Sequence, residues 1–511
     1  MPSAGEVAVG DPLLGPKTDF GSDPLRQIVI PVLVAIPLVG ALALGGPTVM
    51  AAVVIIGLGA GTFLANPRVF ILAFLTLISM RNFIAGGDRM DTGAGLDFDL
   101  GGLVNILASG IGFVYFLVLW KNPFKGRSLT VPYGIFLALF AVSIYWAPDF
   151  HWAVRFVTRL AAPFFTYLII SDMLDAKMER QLLAALYASS VVPIVYGYYQ
   201  WATGTGNDVT EGYNRVNSSF FHPAHFGMYL DFMFCVCYSE FLSPTVRQKG
   251  WRAVYLVAIS LLQVSTYTRI TWVCMVFAFV YLSWVYKKRS YILAVAIVAA
   301  FLIIGFGHGV ADRLASIGDD LGASNGTPDL NTSVGWRLYF WQEIERRCWD
   351  HPWLGFGAGS SVMLGVELFG VEAAPHNGYL RVLYETGFIG LASFLYVLVT
   401  MLWQGLRLVR ASNDTRVTFI SHIYIAMTVI YILLNTTDNI LEYYEVDIYQ
   451  WAILSLVEFA NLRAARLGVI AQARWEKDLE VADEDLEALQ TVLDEAGVAP
   501  GIDGPGASSS P

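Results

Sequence analysis

Charged side chains are scarce in this chain. Asp, Glu, Lys and Arg make up 14% of its 511 residues, against roughly a quarter in a soluble domain, and that excludes a water-soluble enzyme. Cysteine is rarer still, limited to Cys235, Cys237, Cys274 and Cys348. Three of these fall in apolar runs, and no disulfide framework is required. A dense basic stripe is missing, so nucleic-acid binding has no support. No cleavable leader is expected before the first apolar run, whose flanks read as a retained anchor. The 42 acidic residues outnumber the 32 Lys and Arg. Much of that excess sits in roughly the last forty residues, so it describes a tail and not a binding surface.

Apolar residues are what the chain has in quantity: 56% are hydrophobic and the mean hydropathy is +0.55. They fall in about fourteen separate runs of membrane-spanning length. The sequence therefore reads as an all-α polytopic integral membrane protein with about 12–14 transmembrane helices. Positive charge recurs in alternate short connections: Arg68, then Lys121, Lys125 and Arg127, then Lys177 and Arg180, then Arg247, Lys249 and Arg252, then Lys287, Lys288 and Arg289, then Arg407, Arg410 and Arg416. That alternation puts both termini in the cytoplasm. The expected division is a cytoplasmic tail at 1–26, a first transmembrane bundle at 27–308, a large periplasmic loop at 309–383, C-terminal transmembrane helices at 384–463, and an acidic, partly disordered cytoplasmic tail at 464–511. Inside the loop, Trp336 to Ile344 repeats aromatic and aliphatic residues at helical spacing, predicting an interfacial helix against the bundle.

Several charges lie where the charge rule does not ask for them. Arginine at the centre of a membrane helix costs about 2.5–3.5 kcal/mol, yet Arg155, Arg159, Arg215, Arg269 and Arg337 all map towards the outer leaflet. Arg155 and Arg159 stand one turn apart on one helix face. Arg269 occupies the break in STYTR between two apolar runs, which is either a tight hairpin or a discontinuous helix. A cluster of guanidinium groups suits a polyanion, because planar donor forks match phosphate oxygens bidentately. Snorkelling to headgroups, or pairing with carboxylates such as Glu211 or Glu385, is the plainer alternative.

In APHNGYLRVLYETGFIG, Pro375 and Asn377 mark the start of a helix. His376 is thereby held at a helix N-terminus on the outer side, where anions are favoured and an imidazole can take a proton. His222 and His225 compete for that role, although His222-Pro223 reads as a helix start. Asp438 and Glu442 in TDNILEYYEVD face the same compartment, either as sugar contacts or as an exposed polar loop. Gly387 and Gly390 read as close-packing positions. Tyr379, Trp336 and Trp341 fit sugar stacking or, more simply, interfacial anchoring.

The run HNGYLRVLYETGFIG, STYTR with Arg269, NRVNSSFFHPAHFG with Arg215, and SVGWRLYFWQEIERRCWDHPWLGFGAGS with Arg337 together resemble the O-antigen ligase and Wzy-type polymerase superfamily of bacterial envelope glycosyltransferases. These motifs span roughly residues 210–400. The resemblance implies inverting transfer of a glycan from undecaprenyl pyrophosphate to an acceptor hydroxyl, on another glycan, on lipid A-core or elsewhere. The site would face the periplasm at the bacterial inner membrane, with no cofactor and no metal. Carried over residue by residue, His376 is the candidate base, and Arg215, Arg269 and Arg337 the pyrophosphate-binding set. Arg155, Arg159, His222, Tyr379 and Glu385 are further candidates for substrate contact. Membrane lipids and a chain-length regulator complete the expected partners. A membrane transporter of an organic or inorganic anion is the alternative from another class. It would need access from both faces, whereas the unusual charges lie towards one, and no half-to-half repeat is apparent.

Overall fold

The computed structural model describes residues 65–80, 128–209, 213–244, 248–292, 334–412 and 414–461, with isolated positions between 59 and 115 and at 246. The tails expected at 1–26 and 464–511 and the apolar run near 27–45 lie outside the described residues. Twelve α-helices and one β-ribbon are described in chain order. They are α1 (Pro67–Leu77), α2 (Thr130–Ser143), α3 (Phe150–Met173) and α4 (Ala176–Thr203), then the antiparallel strands β1 (Asn207–Val209) and β2 (Tyr213–Arg215). After these come α5 (Pro223–Leu242), α6 (Gly250–Ser265), α7 (Arg269–Val285), α8 (Gly335–Arg347), α9 (Ser360–Phe369), α10 (Gly378–Ala411), α11 (Thr415–Leu434) and α12 at 444–461. Side-chain caps start many of them: Asn66, Asp149, Asp175, Asn377 and Asp414 each accept from backbone N–H groups of the first turn, which would otherwise be orphaned.

Four described helices are long and apolar enough to cross a membrane, namely α3, α4, α10 and α11, and α1, α2, α6, α7 and α9 are shorter apolar ones. The fold is that of an all-α membrane protein. Its apolar residues point outward as well as inward. Val191 and Val195 on α4, Val254 and Val257 on α6, Val273 and Val276 on α7, and Val399 and Trp403 on α10 are all exposed, as lipid-facing surfaces require and water-facing ones do not. Helices α5 and α12 are enclosed on all sides. Trp451 of α12 is fully buried, with its ring 4.4 Å from Tyr133 of α2 and 5.6 Å from Tyr167 of α3. The four cysteines are buried and free.

The long loop carries more structure than its sequence suggested. Helix α8 covers the expected interfacial stretch, and its Phe340 and Ile344 bury against Leu364 and Tyr384. Helix α9, ten residues long, had no counterpart in the sequence reading. The role assigned to Gly387 also changes. It breaks α10, with φ 66° and ψ −167°, a conformation nearly closed to any other residue. Next to the break, the amides of Phe356 and Gly357 donate to the carbonyls of Tyr384 and Glu385, both at 2.9 Å, and the amide of Phe388 donates to Pro352 O at 2.7 Å. The WLGFG segment is therefore a backbone splint laid across an interrupted helix, meeting hydrogen-bond needs that a continuous helix would meet internally. A Cβ on Gly387 would sit 2.3 Å from the carbonyl carbon of Trp353, so glycine is needed for more than close packing.

Candidate active site

Three chain segments meet at the candidate site. The first is β2 and the turn before α5. Arg215 closes the ribbon by donating from Nε to Thr266 O and from Nη2 to Thr268 Oγ1, both at 2.9 Å, while Val216 N–H donates to Ser265 O at 3.1 Å. These bonds tie Arg215 to the STYTR turn. There α6 ends at Ser265, Tyr267 takes a left-handed φ of 49°, and Arg269 opens α7. Of the two alternatives for this break, the tight hairpin is the one observed.

The second segment is α8. Trp336 meets His376 edge to face at 5.3 Å, and Trp341 Nε1 donates to Pro375 O at 2.6 Å, so this helix braces the histidine loop. Arg337 projects from the same turn as Trp336, and its buried Nε–H finds no hydrogen-bond partner among the described residues.

The third segment is the 435–443 connection between α11 and α12. Gly378 N–H donates to Asn435 O at 2.8 Å and Asn377 Nδ2 to Thr436 O at 3.1 Å. Asp438 accepts at Oδ1 from His376 Nδ1 (2.9 Å), from Asn439 N–H (2.9 Å) and from the Tyr443 hydroxyl. His376 itself holds a left-handed φ of 50°. That conformation is costly for a non-glycine residue and persists only where the surroundings fix it.

The electrostatics follow from this crowding. Burial, then the like charges of Arg337 and Arg269, push the Arg215 guanidinium down to about 10. Asp438 acts in the opposite sense and is outweighed, so the potential at Arg215 is positive. Burial would raise the Asp438 carboxyl, but His376, Arg337 and Tyr443 overcome it and hold the group well below the ordinary carboxylate range. Asp438 is therefore an ionised acceptor. The proton of its bond to His376 sits on Nδ1, which leaves Nε2 as the other nitrogen of the ring. Burial, then the Asp438 charge, push the Tyr443 phenol well above its usual range, so it remains a donor.

His222 is the N-cap of α5, and its Nδ1 accepts from Ala224 N–H at 3.2 Å. Burial, then His225 and Arg215, push that imidazole down to about 3. With Nδ1 committed as acceptor, the neutral ring carries its proton on Nε2 and offers a donor there, not a base. His225 is bound through Nδ1 to Glu445 at 3.0 Å, with its ring 3.6 Å from that of Tyr443.

The remaining candidates from the sequence are held by other partners. Glu442 accepts from Arg159 Nη1 and from Arg381 Nη1, both at 2.8 Å. Although burial opposes it, Arg381, Arg159 and Arg155 hold Glu442 below its ordinary range. Arg159 is thus ion-paired inside the protein, and Arg155 lies over the ring of Trp152 at 5.0 Å. Glu385, expected as a possible substrate contact, has internal partners instead. It is fully buried, accepting from Arg381 Nε (3.0 Å), Ser361 Oγ (2.6 Å) and Gly359 N–H (2.9 Å). The Tyr379 hydroxyl donates to Ile432 O at 2.9 Å and ties α10 to α11. Asp438, read from the sequence as a sugar contact or part of an exposed loop, is 4% exposed. Arg381, not among the residues the sequence singles out, is fully buried with its guanidinium 3.8 Å from the Phe156 ring. The signal available for it was a fifth-residue spacing from His376 within an amphipathic helix start.

Arg215 and Arg337 beside the Asp438-held imidazole of His376 form an arrangement that can hold an anion next to a proton acceptor. Residues 254–395 match the O-antigen ligase family model, which bears out the resemblance over that segment. The match runs from α6 to within α10 and includes Arg269, Arg337 and His376, while Arg215, His222, Asp438 and Glu442 lie outside it. It implies a glycan-transferring enzyme of the ligase or polymerase type. No curated protein matches the chain.

Proposed function

We propose that this protein is an inverting, metal-independent glycosyltransferase that moves a glycan from undecaprenyl pyrophosphate to an acceptor hydroxyl at the periplasmic face of the bacterial inner membrane. The observation that supports the reading is that Arg337 acts on both Arg215 and Asp438, Arg269 acts on Arg215, and Asp438 in turn holds His376. The acceptor O–H gives its proton to His376 Nε2 as its oxygen bonds to the anomeric carbon. The bond from that carbon to the pyrophosphate oxygen breaks, and its electron pair leaves with the lipid pyrophosphate. Negative charge grows on that leaving group, and preorganised guanidinium groups meet it without reorganising. Asp438 stabilises the imidazolium as it forms, while its bond to Nδ1 keeps the ring turned the right way. Both termini in the cytoplasm, and a glycan, lipid A-core or other hydroxyl acceptor, complete the proposal.

Reconstitution with a lipid-linked oligosaccharide tests it. Wild-type protein treated with chelator should form product, as a ladder for a polymerase or a single adduct for a ligase. His376→Ala, inserted normally, should form none. Normal product from His376→Ala would remove the imidazole from the mechanism, and strict metal dependence would reject the metal-free scheme.

A further inference from the structure

We infer that Glu442 is a positioning residue for the transfer, its two ion pairs holding Asp438 in register with His376; the inference rests on the function proposed above. Glu442 lies four residues after Asp438 in the connection between α11 and α12, and Arg381 lies five residues after His376 at the start of α10. The two segments are therefore clasped twice, once by Asp438 on His376 at 2.9 Å and once by Glu442 on Arg381 at 2.8 Å. The second oxygen of Glu442 takes Arg159 of α3 at 2.8 Å, which fixes the clasp to a third helix. Between the two acids, the 3-10 turn Ile440–Glu442 buries Ile440 and Leu441 completely and closes with Glu442 N–H on Asn439 O at 2.8 Å. A shift of Glu442 is thus transmitted through a short, tightly bonded turn to Asp438.

The chemistry of the clasp supports a geometric role over a purely stabilising one. Buried ion pairs contribute little stability beyond what packed apolar residues would, and their better-attested use is to specify one arrangement. Arg381 is locked from two further sides, by Glu385 at 3.0 Å and by the Phe156 ring at 3.8 Å. The charged groups facing Glu442 are Arg155, Arg159, Arg381 and Glu385. An amide at position 442 could satisfy one guanidinium only. Its own N–H groups would oppose the other, so one limb of the clasp must open.

The experiment compares Glu442→Gln in the wild-type and Asp438→Ala backgrounds, using the full chain reconstituted with lipid-linked oligosaccharide. Glu442→Gln should lower kcat on the order of tenfold and leave the donor KM within about twofold, since ground-state binding is untouched. On Asp438→Ala, which leaves nothing at 438 to hold His376, the same change should cost less than about twofold, because two residues acting through one group do not add. An unchanged kcat, or an equal loss in both backgrounds, would overturn the inference. If Glu442→Gln does not accumulate, Arg159→Gln opens one limb and gives the same comparison. Wild-type protein that transfers no glycan takes down the functional reading and this inference together, whereas active wild type with an indifferent Glu442→Gln refutes the positioning role alone.

Discussion

Replacing Asp438 with asparagine isolates the charge in the His376–Asp438 pair. Asn is nearly isosteric, and its Oδ1 can still accept from His376 Nδ1, Asn439 N–H and the Tyr443 hydroxyl, which all converge on the one oxygen in the wild type. The tautomer and ring orientation therefore survive. What disappears is the negative charge 2.9 Å from the imidazole, at the moment the ring becomes imidazolium. Two unit charges about 4 Å apart interact by about 4 kcal/mol at an effective dielectric of about 20. Replacing a charged hydrogen-bond acceptor by a neutral one forfeits about 2 kcal/mol at the low end. The expected loss in single-turnover transfer is therefore roughly 30- to 900-fold. Donor KM should stay level or fall, because removing Asp438 makes the field around Arg215 and Arg337 more positive. A rate within about threefold of wild type, or a loss carried by KM, would refute the reasoning.

Other outcomes follow from the same geometry. Asp438 and Glu442 both ionise below the ordinary carboxylate range, so the stability they contribute is fully present above about pH 4.5 and is lost as pH falls through their lowered folded values. The gap in melting temperature between wild type and Asp438→Asn should hold from pH 8 to about 5 and close below about 4; a gap that widens with acid contradicts the assignment. Gly387→Ala forces a Cβ into the Trp353 backbone at φ 66° and costs at least about 1–2 kcal/mol from the left-handed backbone alone, so folded yield should fall, and a normal melting temperature would count against the splint. Inorganic pyrophosphate at ten times its dissociation constant should stabilise by about 1.4 kcal/mol, and Arg269→Lys should weaken that shift because a point charge cannot reproduce the fork; an equal shift in both proteins removes Arg269 from the anion site.

The membrane class was legible because hydropathy is additive along the chain and needs no tertiary information. The helix beginning at Gly378 was legible from Pro375 and Asn377, and the arginines stood out by their conflict with the charge rule. Partners were not legible. Arg155 and Arg159 share a helix face with the right spacing for a joint site, but Glu442, some 283 residues away from Arg159, ion-pairs with it. Glu385 sits in the most informative motif and is nonetheless internal, because its neighbours Ser361 and Gly359 come from a segment whose helix α9 was not anticipated. Asp438 was visible as an acid in the loop expected to share a compartment with His376, while its bond to His376 depends on the turn that buries Ile440 and Leu441. Gly387 was read as a small residue for packing, since a positive φ leaves no mark on sequence spacing.

The central claim is that three guanidinium groups and one oriented imidazole serve a single diphosphate. An experimental structure with a non-transferable undecaprenyl-linked phosphonate analogue bound tests it most directly. The account predicts the phosphonate oxygens within hydrogen-bonding reach of Arg215, Arg269 and Arg337, with the anomeric carbon facing Nε2 of His376. An analogue seated away from these arginines, or with its sugar turned from His376, would contradict it.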